Sequence, residues 1–254
     1  MKIAVINGAK NRGCTFNMKN MFLETLGGGH EITEYNLPDD APVFCTGCKA
    51  CFYKNISVCP HREYTQPIWN SILTSELIIF TSPVYVFHAT GQVKALLDHF
   101  GTKWMAHSPE RGMFLKKAVI ITNAAGQGTK NVIKDIGVSL DFWGVAKRYS
   151  ISKALFYTNW DDVSYKTKAD IKKQCVNVSK KVKKAVKKPR FKIRFFFSVM
   201  KLAQKMINRK LVKDGQPQSM DYKYWEENGW LSGGKPWKNP AGGNSKEGGG
   251  YAEN

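Results

Sequence analysis

Apolar residues in the first 155 positions fall into short runs that are separated by stretches of helical spacing. Ile3–Ile6, Leu77–Phe80 and Ala118–Thr122 are nearly continuous apolar runs, which is the pattern of strands buried on both faces. Glu31–Leu37 alternates between apolar and polar residues and is expected near a sheet edge, and Lys147–Ala154 is a weaker strand pattern. The chain therefore predicts five strands.

The stretches between these strands predict helices. Thr15–Leu26 has helical apolar spacing and is stopped by the glycines Gly27–Gly29. Gln66–Leu73, Gly91–Trp104 and Gly128–Trp143 follow the same spacing. Strands that alternate with helices predict an α/β fold, here a doubly wound five-stranded parallel sheet in the flavodoxin-like order 2-1-3-4-5. In such a sheet the ligand binds at the carboxyl ends of the strands.

The charge of the chain is concentrated in one segment. The net charge is +19, and residues 166–213 carry 18 Lys or Arg and a single acid, Asp170. We therefore predict a flavodoxin-like cofactor-binding domain over 1–160. The second part, 161–254, is expected to contain the last helix, a basic amphipathic helical extension and a Gly-rich tail, Gly233–Asn254. That tail is expected to be largely unstructured.

Pro189 divides the basic segment, and the residues after it predict a helix with an aromatic and aliphatic stripe flanked by cations. A solvated lysine-rich face is the simplest of three alternatives for residues 180–213. The other two are an interfacial helix on an anionic membrane and a clamp over a neighbouring subunit. No motif that reads DNA or RNA accompanies the charge, so no specific nucleic-acid partner is expected.

The start of the chain shows no targeting signal. The apolar run after Lys2 is too short for a signal peptide. No run approaches the roughly 20 apolar residues that cross a bilayer. Without an export signal, clustered cysteines are expected to act as metal ligands or redox thiols rather than as disulfides. The expected location is the cytoplasm.

Four of the six cysteines lie close together, at Cys45, Cys48, Cys51 and Cys59. Three thiols at this spacing can hold one face of a cubane iron–sulfur cluster, and the fourth can close it. Zinc is a less natural partner, because its sites usually take two ligands from each of two separated knuckles. Two alternatives stay open, a [4Fe–4S] cluster and redox-active thiols without a metal, and both indicate redox chemistry.

Three loops at the carboxyl ends of the predicted strands carry further candidate chemistry. In Asn7–Thr15, glycines allow a tight turn, Thr15 can cap the following helix, and Lys10 and Arg12 add positive charge, a combination that suits a phosphate.

The second loop, Thr81–His88, offers free backbone amides after Pro83 and the aromatic faces of Tyr85 and Phe87. The third loop, Thr122–Gly128, can present small residues and backbone donors to the edge of a ring.

Together the three loops resemble those of the flavodoxin-like NAD(P)H-dependent FMN reductases. The cysteine motif ahead of Ser82–Tyr85 (Ser-Pro-Val-Tyr) is similar to that of the iron–sulfur flavoprotein branch. Gly91–His99 resembles the helix that follows this turn in the family, and Asp221–Leu231 resembles a C-terminal Asp-x-x-Tyr-Trp-x-x-x-Gly-Trp signature. The resemblance covers residues 1–155 and the C-terminal motif.

The resemblance implies FMN bound without a covalent link, NAD(P)H as cosubstrate, and a homodimer or homotetramer. The implied phosphate contacts are Lys10, Arg12, Gly13, Cys14 and Thr15. The implied ring contacts are Pro83, Val84, Tyr85, Val86 and Phe87 on one side and Thr122, Asn123, Ala124 and Gly126 at the far edge. Tyr85 is the candidate catalytic residue, because it could support negative charge on the reduced ring. The first loop departs from the family pattern, with Gly8-Ala9-Lys10-Asn11 in place of Gly-Ser-Pro-Arg.

The predicted function is an FMN-dependent oxidoreductase that passes electrons from NAD(P)H to a quinone, a flavin or a redox protein. A [4Fe–4S] cluster on the four cysteines would relay the electrons if it is present. The alternative is an FMN and iron–sulfur electron-transfer protein without its own NAD(P)H turnover.

Overall fold

The computed structural model describes residues 1–54, 56–157 and 159–238. Five strands form one sheet in which every neighbouring pair is parallel, in the order β2-β1-β3-β4-β5. The predicted sheet and strand order are therefore confirmed. The strands are Lys2–Asn7 (β1), Glu31–Asn36 (β2), Leu77–Thr81 (β3), Lys117–Ala124 (β4) and Lys147–Ala154 (β5).

Helices connect the strands and continue beyond the sheet. They are Cys14–Leu26 (α1), Ala50–Tyr53 (α2), Arg62–Thr74 (α3), Gly91–His99 (α4), Thr129–Phe142 (α5), Tyr165–Val182 (α6), Phe191–Lys213 (α7) and Met220–Glu227 (α8). The helix predicted for Gly91–Trp104 is wrong at its end, because α4 stops at His99 and a separate 3₁₀ turn follows over Gly101–Lys103.

Alternate residues of each strand point to opposite faces of the sheet and pack into two separate hydrophobic cores. On one face, residues such as Ile6 and Phe80 pack with α3, α4 and α5 around Trp143. On the other face, residues such as Val5 pack with α1 and α6, where Phe22 is fully buried. Because both faces are covered, the central strands are apolar throughout, as their sequence predicts.

A third apolar cluster holds the C-terminal elements against the sheet domain. Phe197 of α7 stacks on Trp225 of α8, with ring centroids 4.8 Å apart. Trp225 Nε1 donates to His107 O over 2.8 Å, and His107 Nδ1 lies 2.8 Å from Asp221 Oδ2. The Asp221–Leu231 motif therefore anchors α8 on the segment after α4.

Asp141 anchors the start of α7. Its carboxylate is 2% exposed and receives Arg148 Nε at 2.9 Å, Arg190 Nη2 at 2.5 Å and Lys192 Nζ at 2.9 Å. Arg190 and Lys192 flank the first residue of α7, so one buried acid positions the helix.

The first residues of the predicted tail fold back onto the protein. Gly234 N donates to Gly229 O over 2.9 Å, and Trp237 packs edge-on against Phe197. The rest of the tail, residues 239–254, lies outside the described part of the chain. Among the described residues, no helix has the length and apolar character needed to cross a membrane.

Candidate functional site

A cavity of about 300 Å³ opens at the carboxyl ends of β1, β3 and β4. Its walls come from the start of α1, the loop after β3, the end of β4 and a single residue in the segment that follows β5. The lining residues are Asn7, Ala9, Asn11, Gly13, Cys14, Thr15, Phe16, Thr81, Pro83, Val84, Tyr85, Asn123, Ala124, Ala125 and Tyr157. None of these lining side chains carries a formal charge at neutral pH.

The N-terminus of α1 forms one wall of the cavity. The N-cap residue is Gly13, so no side chain caps the helix there, and its φ of −79° lies in the region that any residue adopts. The first N–H groups of a helix have no partner within the helix, and the helix dipole favours an anion at this end. This wall therefore suits a phosphate group.

The loop before α1 lies directly against β3. Gly8 N donates to Thr81 O over 2.8 Å, and a Cβ at Gly8 would stand 2.5 Å from that oxygen. Thr90 Oγ1 donates to Gly8 O over 2.7 Å from the other side. The absence of a side chain at Gly8 thus allows the close approach that brings the first loop onto the cavity.

A hydrogen-bond network that includes the buried residues Asn7 and Lys19 positions Asn7 at the cavity. Asn7 Nδ2 donates to Glu34 Oε2 over 2.9 Å and to Asn36 Oδ1 over 3.0 Å. Lys19 is 1% exposed, and its Nζ lies 2.7 Å from the same Glu34 carboxylate. Because the ion pair fixes Glu34, the Asn7 amide is held in one orientation.

The loop after β3 forms the second wall and contains a strained two-residue turn. Tyr85 and His88 exchange backbone hydrogen bonds of 3.0 Å in both directions. Between them, Val86 and Phe87 have φ values of 48° and 64°. A β-branched residue rarely adopts the left-handed region, and such strain is often kept at functional sites.

Contacts from α5 hold this turn in place. Asp135 Oδ2 lies 3.0 Å from His88 Nδ1 and accepts from Ala89 N over 3.1 Å. Gly128, with φ 102°, lies so close that a Cβ would come within 2.6 Å of Val84 Cγ1. The turn therefore places Tyr85 on the cavity and leaves Val86 and Phe87 at its exposed tip.

The segment after β5 completes the cavity and was not among the predicted contacts. Tyr157 lines the cavity, and its carbonyl oxygen lies 3.9 Å from Cys14 Sγ. Phe156 N donates to Ala125 O over 3.0 Å, which fixes this segment against the end of β4. The aromatic pair Phe156–Tyr157, two residues beyond the end of the fifth strand, is a sequence signal that could have identified this wall.

The structure brings eight of the predicted cofactor contacts onto the cavity. These are Gly13, Cys14, Thr15, Pro83, Val84, Tyr85, Asn123 and Ala124. Thr15 Oγ1 also donates to Asn123 Oδ1, which joins the first wall to the end of β4. Asn7, Ala9, Asn11, Phe16, Thr81, Ala125 and Tyr157 line the cavity in addition.

Six predicted contacts lie outside the lining, each for a visible reason. Lys10 Nζ pairs with Asp39 at 2.8 Å, and the Arg12 guanidinium lies over the Phe16 ring, 5.5 Å from its centroid. Thr122 is fully buried behind the wall, and Gly126 lies beside Phe156. Val86 and Phe87 are the exposed turn residues described above.

A sequence model of the NADPH-dependent FMN reductases matches residues 1–155, which is more than half of the chain. The chain belongs to this family. Membership confirms the predicted family, and it supports the predicted FMN cofactor and the predicted enzyme class.

The curated relatives of this family member are iron–sulfur flavoproteins. One from Archaeoglobus fulgidus is 28% identical over 99 residues, which is 39% of this chain and 48% of that protein. The chain thus spans about half the length of the curated relatives it matches.

Solved structures of similar fold include flavin enzymes. An azoreductase from Bacillus anthracis str. Sterne aligns with a TM-score of 0.54 at 13% identity, over 71% of this chain and 100% of that chain. An FMN-dependent NADH-azoreductase from Bacillus anthracis str. Ames Ancestor, solved in complex with FMN, aligns with a TM-score of 0.51 at 13% identity, over 70% of this chain and 100% of that chain. These likenesses confirm the flavodoxin-like fold.

The segment that carries Cys45, Cys48, Cys51 and Cys59, here called the cysteine loop, folds back on itself. Gly47 and Lys49 both have left-handed backbones, with φ values of 67° and 61°, so the chain turns sharply on either side of Cys48. Burial and then the neighbouring thiols of Cys59, Cys45 and Cys48 raise the pKa of Cys51. Cys45 and Cys48 are exposed, Cys51 and Cys59 are partly buried, and none of the four forms a disulfide.

Two histidine side chains lie close to Cys59 of this loop. Ligand atoms of Cys59, His61 and His99 all lie within 4.8 Å of one another. His99 is 4% exposed, and its Nδ1 is buried with no hydrogen-bond partner in the described part of the chain. The sequence prediction named the four cysteines alone, because His99 follows 40 residues after Cys59 and meets it only in the fold.

Proposed function

We propose that the protein is an FMN-dependent oxidoreductase that takes electrons from NAD(P)H and passes them to a quinone, a flavin or a redox protein. The single observation that carries this proposal is the uncharged cavity at the carboxyl ends of the strands, into which the uncapped N-terminus of α1 opens. Family membership supplies the cofactor and reaction class.

The residues of the cavity fit FMN. The first-turn amides that follow Gly13 would bind the phosphate, which explains how an anion can bind where no lining side chain is cationic. Lys10 and Arg12 lie outside the lining, so they would act at most through their charge. Tyr85 and Tyr157 would flank the isoalloxazine ring, and Asn123, whose side chain accepts a hydrogen bond from Thr15 Oγ1, would contact its edge.

FMN bound in this cavity would supply the redox chemistry, with a hydride as the electron input. The chain itself would bind and orient the cofactor, and no side-chain acid or base of the protein is required for hydride arrival. Tyr85 lines the cavity and is half exposed, so its hydroxyl could donate to an electron-rich ring edge. The proposed role of Tyr85 is therefore electrostatic support.

The test is a flavin titration followed by anaerobic reduction. We expect the purified chain to bind FMN and to show bleaching of the flavin absorbance on addition of NADH or NADPH. Steady turnover with a quinone would support the enzyme. FMN binding without reduction by either nucleotide would favour the electron-transfer alternative, and no FMN binding would overturn the proposal.

A second candidate concerns the cysteine loop, for which we propose a [4Fe–4S] cluster on Cys45, Cys48, Cys51 and Cys59. Three observations support it: the spacing of the cysteines, the sharp turns at Gly47 and Lys49 on either side of Cys48, and the similarity to curated iron–sulfur flavoproteins. Thiolate sets of this kind hold iron–sulfur clusters. A cluster there would relay electrons singly between the flavin and an acceptor.

The expected result for anaerobically purified protein is about four irons and four sulfides per chain. Cys48→Ser should lose most of this iron, because Cys48 lies at the centre of the motif, whereas Cys175→Ala should keep it, because Cys175 is buried in the core between α1 and α6. Zinc in place of iron, lost on His99→Ala, would contradict the cluster and would assign Cys59, His61 and His99 as a zinc site.

A further inference from the structure

The helix α7 carries an exposed apolar stripe in addition to its buried face. Ile193 and Phe197 are buried in the C-terminal cluster, so this side of the helix already has its partner. The opposite side carries apolar side chains that recur at a spacing of three or four residues and are each 40% to 73% exposed. The stripe consists of Phe191, Phe195, Val199, Leu202 and Met206.

Cations follow one edge of this stripe. Arg194, Lys201 and Lys205 recur at helical spacing beside it. No Asp or Glu occurs anywhere between Asp170 and Asp214. The surface is therefore apolar in its centre and positive along its edge, without an acidic residue in the same segment.

A cavity of about 320 Å³ lies at the N-terminal end of the stripe. Among the described residues that line it, Arg194, Lys201 and Lys235 are cations and none is acidic. Phe195 and Trp237 contribute aromatic walls. An anionic group with an attached apolar chain matches this combination of positive charge and aromatic surface.

We propose that α7 is an interfacial helix that binds the surface of an anionic phospholipid membrane. The stripe would enter the boundary between headgroups and acyl chains, as amphipathic helices with basic flanks do. Arg194, Lys201 and Lys235 would meet lipid phosphates. At 23 residues α7 is about 34 Å long, so it lies along the membrane surface and does not need to span it.

The charge distribution argues against the two other partners of this surface. A second copy of the chain would bring two positive edges together with no acid in either segment, and like charges in contact oppose association. A nucleic acid would satisfy the cations but would leave the five apolar side chains of the stripe exposed to water. Anionic lipid satisfies both features.

The experiment is co-sedimentation of the full chain with phosphatidylcholine vesicles that contain or lack phosphatidylglycerol. We expect at least about tenfold stronger binding to the anionic vesicles, with weaker binding as salt is added. Leu202→Glu combined with Met206→Glu should weaken that binding at least about tenfold. Both positions are exposed, so the fold is expected to persist, and circular dichroism checks this.

The matched control is Lys172→Gln combined with Lys173→Gln on the exposed side of α6, which changes the net charge by the same amount. This control should keep most of the vesicle binding. Equal losses of vesicle binding in both double variants would show that binding depends on the net charge of the protein alone, and would overturn the role of α7. Absence of binding to either vesicle would also overturn the proposal. So would a dimer in light scattering that Leu202→Glu converts to a monomer, since the stripe would then face a second copy.

Discussion

Gly13→Asp is expected to weaken FMN binding at least about a hundredfold while leaving the fold intact. The new carboxylate would occupy the N-cap of α1, where the FMN phosphate is proposed to bind. Two unit charges about 4 Å apart repel by about 4 kcal/mol at an effective dielectric constant near 20. The backbone of Gly13 lies at φ −79°, so the substitution introduces no backbone strain.

The same substitution should not destabilise the protein without flavin. Aspartate is among the best N-cap residues, and its charge is favourable at the positive end of the helix, so a gain of about 0.5 kcal/mol is expected. The measurement is FMN titration by fluorescence, together with thermal unfolding of the flavin-free protein. A variant that unfolds earlier and loses FMN would indicate damage to α1 instead.

Gly13→Asn is the matched control, because asparagine has nearly the size of aspartate and caps helices equally well without a charge. FMN affinity within about tenfold of the wild type is expected for this variant, since it keeps the helix dipole and adds no repulsion. Equal losses of FMN affinity in the two variants would indicate that any side chain at position 13 blocks the cofactor sterically. Unchanged affinity in both would place the phosphate elsewhere.

Asp141→Asn is expected to lower the free energy of unfolding by about 3 kcal/mol or more, because it removes the charge shared by three cations in a buried site. Arg148 and the two cations at the start of α7, Arg190 and Lys192, would lose their common partner. The measurement is urea unfolding followed by tryptophan fluorescence. Trp225 and Trp230 report on the C-terminal cluster that packs against α7.

An exposed ion pair provides the control for this loss of stability. Asp170 lies 3.1 Å from Lys153 and is 53% exposed, so Asp170→Asn removes the same kind of charge at the surface. A change of no more than about 1 kcal/mol is expected there. Similar effects of the two substitutions would contradict the anchoring role of Asp141.

The effect of Asp141→Asn should also depend on pH. Burial alone would raise the pKa of Asp141, but hydrogen bonds from Arg148 and Lys192 and the charges of Arg148 and Arg190 outweigh it and lower that pKa below its usual value near 3.8. A carboxylate with a lowered pKa stabilises the folded state fully above its unfolded pKa, and this contribution is lost as the pH falls through the folded pKa. The stability difference between wild type and variant should therefore be largest near neutral pH and should shrink in acid.

The cavity shows how far local sequence information reaches. The sequence predicted the correct loops, because a ligand in a doubly wound sheet binds at the carboxyl ends of the strands whatever the side chains are. It predicted only in part which residues face the cavity, because eight of the fourteen predicted contacts line it and six do not. Lys10 lies outside the cavity and pairs with Asp39, and Tyr157 lines the cavity because the segment after β5 packs against the end of β4. Both depend on residues that are distant along the chain.

For α7, too, the sequence predicted one feature and the tertiary structure decided another. The apolar and basic spacing of Phe191–Lys213 predicted an amphipathic helix, and the structure confirms the helix. The sequence contains more apolar positions than one buried face requires, so spacing could not assign the side that meets the protein. The contacts of Phe197 with Trp225 and of Asp141 with Arg190 and Lys192 make that choice.

The sequence by itself predicted the five strands and most of the helices between them, because these rest on periodicity within short windows. The family followed from its motifs, and the strand order followed from the fold class that alternating strands and helices indicate. Only the tertiary structure decided which side chains line the cavity, that His61 and His99 join Cys59, and which stripe of α7 remains exposed. The physical reason is that these features are contacts between residues far apart along the chain. Such contacts depend on how whole elements pack, which no local pattern encodes.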